Sequence, residues 1–208
     1  MLPLTKKNST MTMPSTLANL ASKKLILGSN SPRRQELLRG LGLEFVVRVH
    51  PIEEYLPPDL PAAYAAAYLS KLKADAFPGP LDANEILITA DTVVIDRGKV
   101  LGKPSNELEA FEMLKSLSGT THTVMTAVTL KDHKNSITLE DETEVTFRFL
   151  DEEEIWFYLK QYQPYDKAGS YGIQEWIGFV GVSSITGSYF TVMGFPLHLV
   201  YAQLKKWV

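Results

Sequence analysis

Short apolar runs and amphipathic stretches alternate along the chain, and their periods predict its elements. Lys24-Leu25-Ile26-Leu27 reads as a strand running into Gly28-Ser29-Asn30-Ser31-Pro32. Arg33 to Leu41 follows at helical spacing, with Leu37, Leu38 and Leu41 on one face. Ser31 suits an N-cap and Pro32 the first helical position, while Gly40 and Gly42 mark the end. Phe45 to Val49 is a second strand, followed by a loop carrying Glu53, Glu54 and Pro51, Pro57, Pro58 and Pro61. Asp59 opens an amphipathic helix to about Phe77, with Tyr64, Tyr68, Leu69, Leu72 and Ala76 as its expected buried side.

Glu85 to Ile95 is an apolar strand interrupted by Asp91-Thr92, and Asp96-Arg97-Gly98-Lys99 reads as a turn. Ser105 or Asn106 caps a helix to Leu117, with Leu108, Phe111 and Leu114 on one face and Gly119 as its stop. Two long strands, His122 to Leu130 and Ile137 to Phe149, flank the polar turn at 131–136. In the second, Val145, Phe147 and Phe149 alternate with Thr146 and Arg148, the pattern of a half-buried strand. Asp151-x-x-Glu154 begins a helix to about Tyr162. The glycine-rich region from Tyr165 to Gly194 carries two expected strands, and Pro196 to Trp207 closes as a helix. Interleaved strands and helices predict an α/β fold with a mixed sheet.

Composition narrows this picture. With 45% hydrophobic and 22% charged residues among 208, the chain has ordinary globular values. No apolar run approaches the ~18 residues that a membrane span requires. Residues 1–22 are rich in Ser, Thr, Met and Asn, show neither period and lack an apolar h-region. They read as a flexible tail before a domain over 23–208, without a secretory signal, and a cytoplasmic location is expected. Cysteine is absent, which excludes disulfides, thiolate catalysis and Cys-ligated metals. No two of the four histidines lie three or four apart, against a helical His-metal site. A net charge of −3 argues against a nucleic-acid partner held by overall charge, so basic chemistry must be local.

Arg33 and Arg34 stand in the first turn of a helix, where the dipole disfavours cations. Two arginines there make sense if an anion lies between them and the free N–H groups of the turn. They also read as two solvated arginines on a surface helix. Asp91 lies among β-branched and apolar residues, and a buried carboxylate is costly unless paired, hydrogen-bonded or bound to a metal. A bulge or a strand end offers the structural alternative. Gly98-x-x-x-Gly102-Lys103 approximates a Walker loop but is one residue short, and Pro104 replaces the required Ser or Thr. Lys73 near Leu72 reads first as a solvated or snorkelling lysine, and Glu53 and Glu54 in their Pro-rich loop read first as solvent-facing. Small residues across Tyr165 to Gln174 allow close backbone approach, and Gln174 carries both donor and acceptor for a base edge. Asp166 and Lys167 there could simply form an ion pair. No nucleophile constellation is present. The inventory is cations for phosphate and carboxylates for a divalent metal, suited to attack by water on a phosphoanhydride.

In order, these stretches resemble the Maf family of nucleoside triphosphate pyrophosphatases. The matching segments are Leu27 to Leu38, Glu54, Lys73-Ala74, Ala90 to Val94, Leu101 to Pro104, Leu117 to His122, Asp166 to Gln174, Gly187 to Tyr189 and Gly194 to Leu197. The resemblance covers about residues 24–207. It implies hydrolysis of a nucleoside triphosphate to monophosphate and pyrophosphate with Mg²⁺ or Mn²⁺. It also implies the inosine triphosphate pyrophosphatase-like fold, a long twisted mixed sheet with two lobes and a central cleft, and a homodimer. Ser-Pro-Arg-Arg with Asp-Lys-Ala-Gly-x-Tyr-Gly-Ile-Gln resembles the branch acting on dTTP and UTP, including modified uridine nucleotides. A sister branch preferring 7-methyl-GTP departs at both places. Base preference is then expected through Arg34, Thr92 and Gln174. There are three departures from the family pattern: Gly28 where Ala is usual, Glu175-Trp176 where Gly is common after Gln174, and Thr191 for a frequent Asn.

On this reading Ser29 and helix N–H groups meet the triphosphate, and Arg33, Lys73 and Lys103 neutralise charge growing on the leaving pyrophosphate. Glu54 and Asp91 hold the metal, and Asp91 orients or deprotonates the attacking water. Two rival readings are a non-hydrolytic nucleotide-binding regulator of cell division and a sugar-nucleotide or phosphate-ester enzyme on a similar frame.

Overall fold

The computed structural model describes residues 15–207. Seven strands form one mixed sheet: β1 (Lys24–Leu27), β2 (Phe45–Val47), β3 (Glu85–Asp96), β4 (Lys99–Leu101), β5 (Thr121–Lys131), β6 (Ser136–Phe147) and β7 (Val182–Thr186). Their order is β2-β1-β3-β5-β6-β7, with β4 beside β3. β1 pairs in parallel with β2 and β3, and every other pairing is antiparallel. The helices are α1 (Pro32–Gly40), α2 (Ala65–Asp75), α3 (Glu107–Leu117), α4 (Glu152–Tyr162), α5 (Trp176–Gly181), α6 (Tyr189–Val192) and α7 (Leu197–Leu204). Among the described residues no helix is long and apolar enough to cross a membrane.

Side chains alternate across β3, so its two faces build different cores. Ile86, Ile88 and Ala90 join Leu37 and Leu38 of α1 and Val200 and Leu204 of α7. Further along the same face, Val94 joins the core of α3, α4 and α5. Val93, on the opposite face, packs with Ala65, Ala66 and Leu69 of α2. Two lobes thus share one sheet face, with a seam between them at Thr92.

Local chemistry sets the element ends. Ser31 Oγ accepts from Arg34 N–H with Pro32 at the first helical position of α1. Asn106 caps α3, and Asp151 with Glu154 forms a reciprocal capping box on α4.

Several expectations are corrected. The flexible tail expected over 1–22 lies outside the described residues up to 14, but Ser15–Leu20 forms a 3₁₀ turn. Leu17 and Leu20 are fully buried, and Asn19 Nδ2 donates to Leu204 O at 2.9 Å and Trp207 O at 2.7 Å. Two leucines three apart suffice to dock this turn, too short a pattern to register as a period. The expected buried face of α2 holds for Leu69, with Tyr68 and Leu72 partly buried against the same core, but not for Tyr64. Tyr64 is exposed, and the small residues Ala65, Ala66, Ser70 and Ala74 face inward. Leu108 and Phe149 are exposed as well, the latter because β6 ends at Phe147. The region 165–194 supplies one strand, β7, rather than two, and short helices replace the other.

Candidate active site

β1 follows β3 only as far as the Leu27–Ile88 pair, after which Gly28 N–H donates to Ile88 O at 2.8 Å. β4 joins the same edge at Val94. Between them, 89–93 has no strand partner on that side among the described residues. A cleft of about 470 Å³ opens along this gap. Adjacent residues on the gapped segment, Asp91 and Thr92, point to opposite faces of the sheet and both line the cleft.

On the α2 side, small residues let the helix approach closely. Thr89 Oγ1 donates to Ser70 O at 2.8 Å, and Ser70 Oγ bonds Thr129 Oγ1 at 2.5 Å, pinning α2 to β3 and β5. One turn on, Lys73 Nζ reaches Asp91 Oδ1 at 2.5 Å and Glu54 Oε1 at 3.1 Å, with only 16% of its side chain exposed. The other Glu54 oxygen lies 3.9 Å from Lys103 Nζ, which is 58% exposed. Partial burial pushes the Glu54 carboxyl up. The opposing charge and hydrogen bond of Lys73, helped by Lys103 and Arg34, outweigh this and hold it below its ordinary value.

On the opposite side, Arg34 reaches from α1 across the seam. Its Nε donates to Gly194 O at 2.9 Å, Nη1 to Ala90 O at 2.9 Å and Ser29 Oγ at 3.3 Å, and Nη2 to Thr92 Oγ1 at 3.1 Å. The Ala90 carbonyl on the gapped edge therefore finds its donor in a side chain. Gly194 has φ +96°, and a Cβ there would lie 2.9 Å from Thr92 Oγ1, so a side chain is excluded on both counts. Burial lowers the Arg34 pKa, yet an arginine retains its charge.

Arg33 lies at the mouth with Nη1 3.8 Å from Asp166 Oδ2. Asp166 Oδ1 bonds Lys167 Nζ at 2.7 Å, and that ammonium lies 3.2 Å from Glu175 Oε1. Burial raises the Asp166 carboxyl, but Lys167 and then Arg33 bring it below its usual range. Tyr158 donates its hydroxyl proton to Glu175 Oε2 and accepts Gly172 N–H at 3.0 Å. The Glu175 departure thus becomes a tether for a cleft-lining lysine.

Ser29, Arg33, Arg34, Glu54, Lys73, Asp91, Thr92 and Lys103, all expected from sequence, come together around this one cleft. Gln174 does not. The lining of this segment ends at Tyr171, and Gln174 Oε1 is buried without a hydrogen-bond partner among the described residues. Its neighbours Ile173 and Ile177 are buried in the core of α3, α4 and α5. Sequence reasoning missed Thr126 of β5, which lies opposite Thr92 and bonds it at 3.0 Å. Only strand register could have revealed that pair. It also missed the reason for Gly28, where a Cβ would lie 2.8 Å from the Thr89 methyl.

A family described as Maf-like protein matches residues 24–207. A dTTP/UTP pyrophosphatase of Flavobacterium johnsoniae is 49% identical over 91% of this chain and 97% of the relative. Relatives of the same name from Bacteroides fragilis and Phocaeicola vulgatus are 49% and 51% identical, over 91% of this chain and 99% of each relative. The Staphylococcus aureus Ham1 protein superposes with a TM-score of 0.38 at 12% identity, covering 60% of this chain and 72% of that one.

Proposed function

The chain belongs to the Maf family, and from that premise we propose that it hydrolyses dTTP and UTP to the monophosphate and pyrophosphate. The observation that carries the reading is Lys73 bonded to both Glu54 and Asp91 beside the Arg33–Arg34 loop. Phosphate-binding cations and metal-binding carboxylates share one cleft. A protein that only bound nucleotide would have no need of the carboxylate pair.

In the proposed reaction the triphosphate lies along the 29–34 loop, where Ser29 and the free N–H groups of α1 meet its oxygens. A water oxygen forms the new P–O bond and its proton passes to the Asp91 carboxylate. The bond between the α-phosphorus and the bridging oxygen breaks, and pyrophosphate leaves with that electron pair. Arg33, Lys73 and Lys103 offset the charge that develops on it.

Glu54 and Asp91 would hold a divalent cation such as Mg²⁺ or Mn²⁺. The donor set fits: such hard cations take one or two carboxylates and leave other positions to phosphate and water. Both carboxylates here converge on one ammonium. Among the described residues no group of three or more His, Asp or Glu forms an all-protein cage. When bound, the cation polarises the phosphate oxygens toward attack.

The reading extends to modified uridine triphosphates, to a cytoplasmic location and to a homodimer. β7 is an edge strand, and exposed Phe179, Ile185, Tyr189 and Phe190 support pairing of two copies there. Light scattering tests the dimer. A nucleotide panel with Mg²⁺ or Mn²⁺, scored for pyrophosphate release, tests the activity. Release from dTTP and UTP is expected, and none from any pyrimidine triphosphate would overturn the reading.

A further inference from the structure

Each hydroxyl has one proton to donate, and that count orders the hydrogen bonds beneath the cleft. Thr191 O accepts from Gly194 N–H at 3.0 Å and from Thr126 Oγ1 at 2.7 Å. A carbonyl cannot donate, so the single Thr126 proton is committed to it. In the 3.0 Å contact between Thr92 and Thr126 the donor must therefore be Thr92. Thr92 Oγ1 already accepts Arg34 Nη2–H. The order runs one way, Arg34 to Thr92 to Thr126 to the Thr191 carbonyl.

Toward the cleft this leaves Thr92 with a lone pair and no proton. Arg34 has four of its five N–H groups placed on Gly194 O, Ala90 O, Ser29 Oγ and Thr92 Oγ1, which leaves one on Nη2. An acceptor thus stands beside a donor. A uracil or thymine imide presents the complement, an N3–H next to a carbonyl oxygen.

We propose that Thr126 is a positioning residue for base recognition, holding the Thr92 hydroxyl turned inward so that Thr92 accepts the pyrimidine N3–H. This rests on the dTTP and UTP reading above and deepens it. Thr126 is fully buried and does not touch the nucleotide. Its influence passes through the orientation of the Thr92 proton.

The test is calorimetric titration of the full chain, with Mg²⁺, using the α,β-imido analogue of UTP and its N3-methyl counterpart. The wild-type protein should bind the N3-methyl compound at least about tenfold more weakly, since it lacks the donor the site requires. Thr126→Val should weaken the unmethylated analogue by roughly three- to tenfold, the scale of one hydrogen bond. The same substitution should leave the N3-methyl analogue within about twofold, because the contact that Thr126 serves is already gone. Thr126→Ser, which keeps the hydroxyl, should restore wild-type discrimination. An equal loss on both analogues in Thr126→Val would overturn the proposal and leave Thr126 a packing residue. If that variant does not fold, the wild-type comparison decides alone: equal affinity for the two analogues overturns it. A wild-type protein that binds neither analogue refutes the nucleotide reading itself, an outcome distinct from binding both equally.

Discussion

The two faces of β3 meet the cleft with opposite chemistry. On the α2 face, Lys73 holds Asp91 and Glu54 by charge, with Lys103 farther out at 3.9 Å from Glu54. On the other face, Arg34 spends its donors on neutral oxygens, two carbonyls and two hydroxyls. Ions that hold one another can exchange partners when a triphosphate and a cation arrive, so the first cluster suits a site whose charge changes during reaction. Directional bonds from a half-buried fork to backbone carbonyls do not exchange cheaply, so the second suits a template of fixed shape. Neighbouring residues reach both because the strand period of two sends Asp91 and Thr92 apart.

Breaking the ionic side should cost turnover most. Asp91→Asn is expected to lower kcat for dTTP and UTP by about 10³-fold, the range for losing a general base, measured as pyrophosphate release. Lys73→Met should lower kcat by roughly a hundredfold through lost charge stabilisation. It should also move the acid limb of the pH–rate profile upward. Glu54 is held below its ordinary pKa chiefly by Lys73 once burial is overcome. Without that ammonium the carboxyl rises and protonates at a higher pH, so activity is lost sooner on acidification. An unmoved acid limb would mean that Glu54 ionisation does not govern the rate.

The hydrogen-bonded side should respond differently. Arg34→Lys keeps the charge but loses the fork. It should cost about 2–4 kcal/mol of stability from unsatisfied buried carbonyls in urea melts. The KM for dTTP and UTP should rise more than kcat falls. A larger effect on kcat than on KM would erase the contrast between the two faces. Gly28→Ala, at the root of the cleft, should lower stability by about 1–3 kcal/mol, since the added methyl meets a Thr89 side chain fixed by its bond to Ser70. A Thr89→Ser change should relieve much of that loss, which thermal unfolding of the pair would show.

The parts of this architecture that were legible in the sequence are local. The Ser31 cap, the α4 capping box and the core strands follow from signals a few residues long. The convergence of Arg33, Arg34, Lys73, Asp91 and Lys103 was reachable through motif order. The inward face of α2 was legible only at Leu69 and its larger neighbours; the buried small residues Ala65, Ala66, Ser70 and Ala74 carry a weaker hydrophobic signal than exposed Tyr64. The Thr92–Thr126 pair was not legible, since residues 34 apart in the chain meet only through the β3–β5 register. Gln174 shows the converse case: a side chain with suitable chemistry, in a suitable motif, stands outside the cleft lining, its Oε1 buried without a hydrogen-bond partner among the described residues.

Calorimetric titration of Asp91→Asn with the α,β-imido analogue of UTP, beside its turnover of UTP, tests the division of labour most directly. The variant should bind the analogue within about threefold of the wild-type affinity while its kcat for UTP falls by about 10³-fold, as expected for a group that acts on the attacking water. Normal pyrophosphate release, or a loss of affinity as large as the loss of turnover, would contradict it.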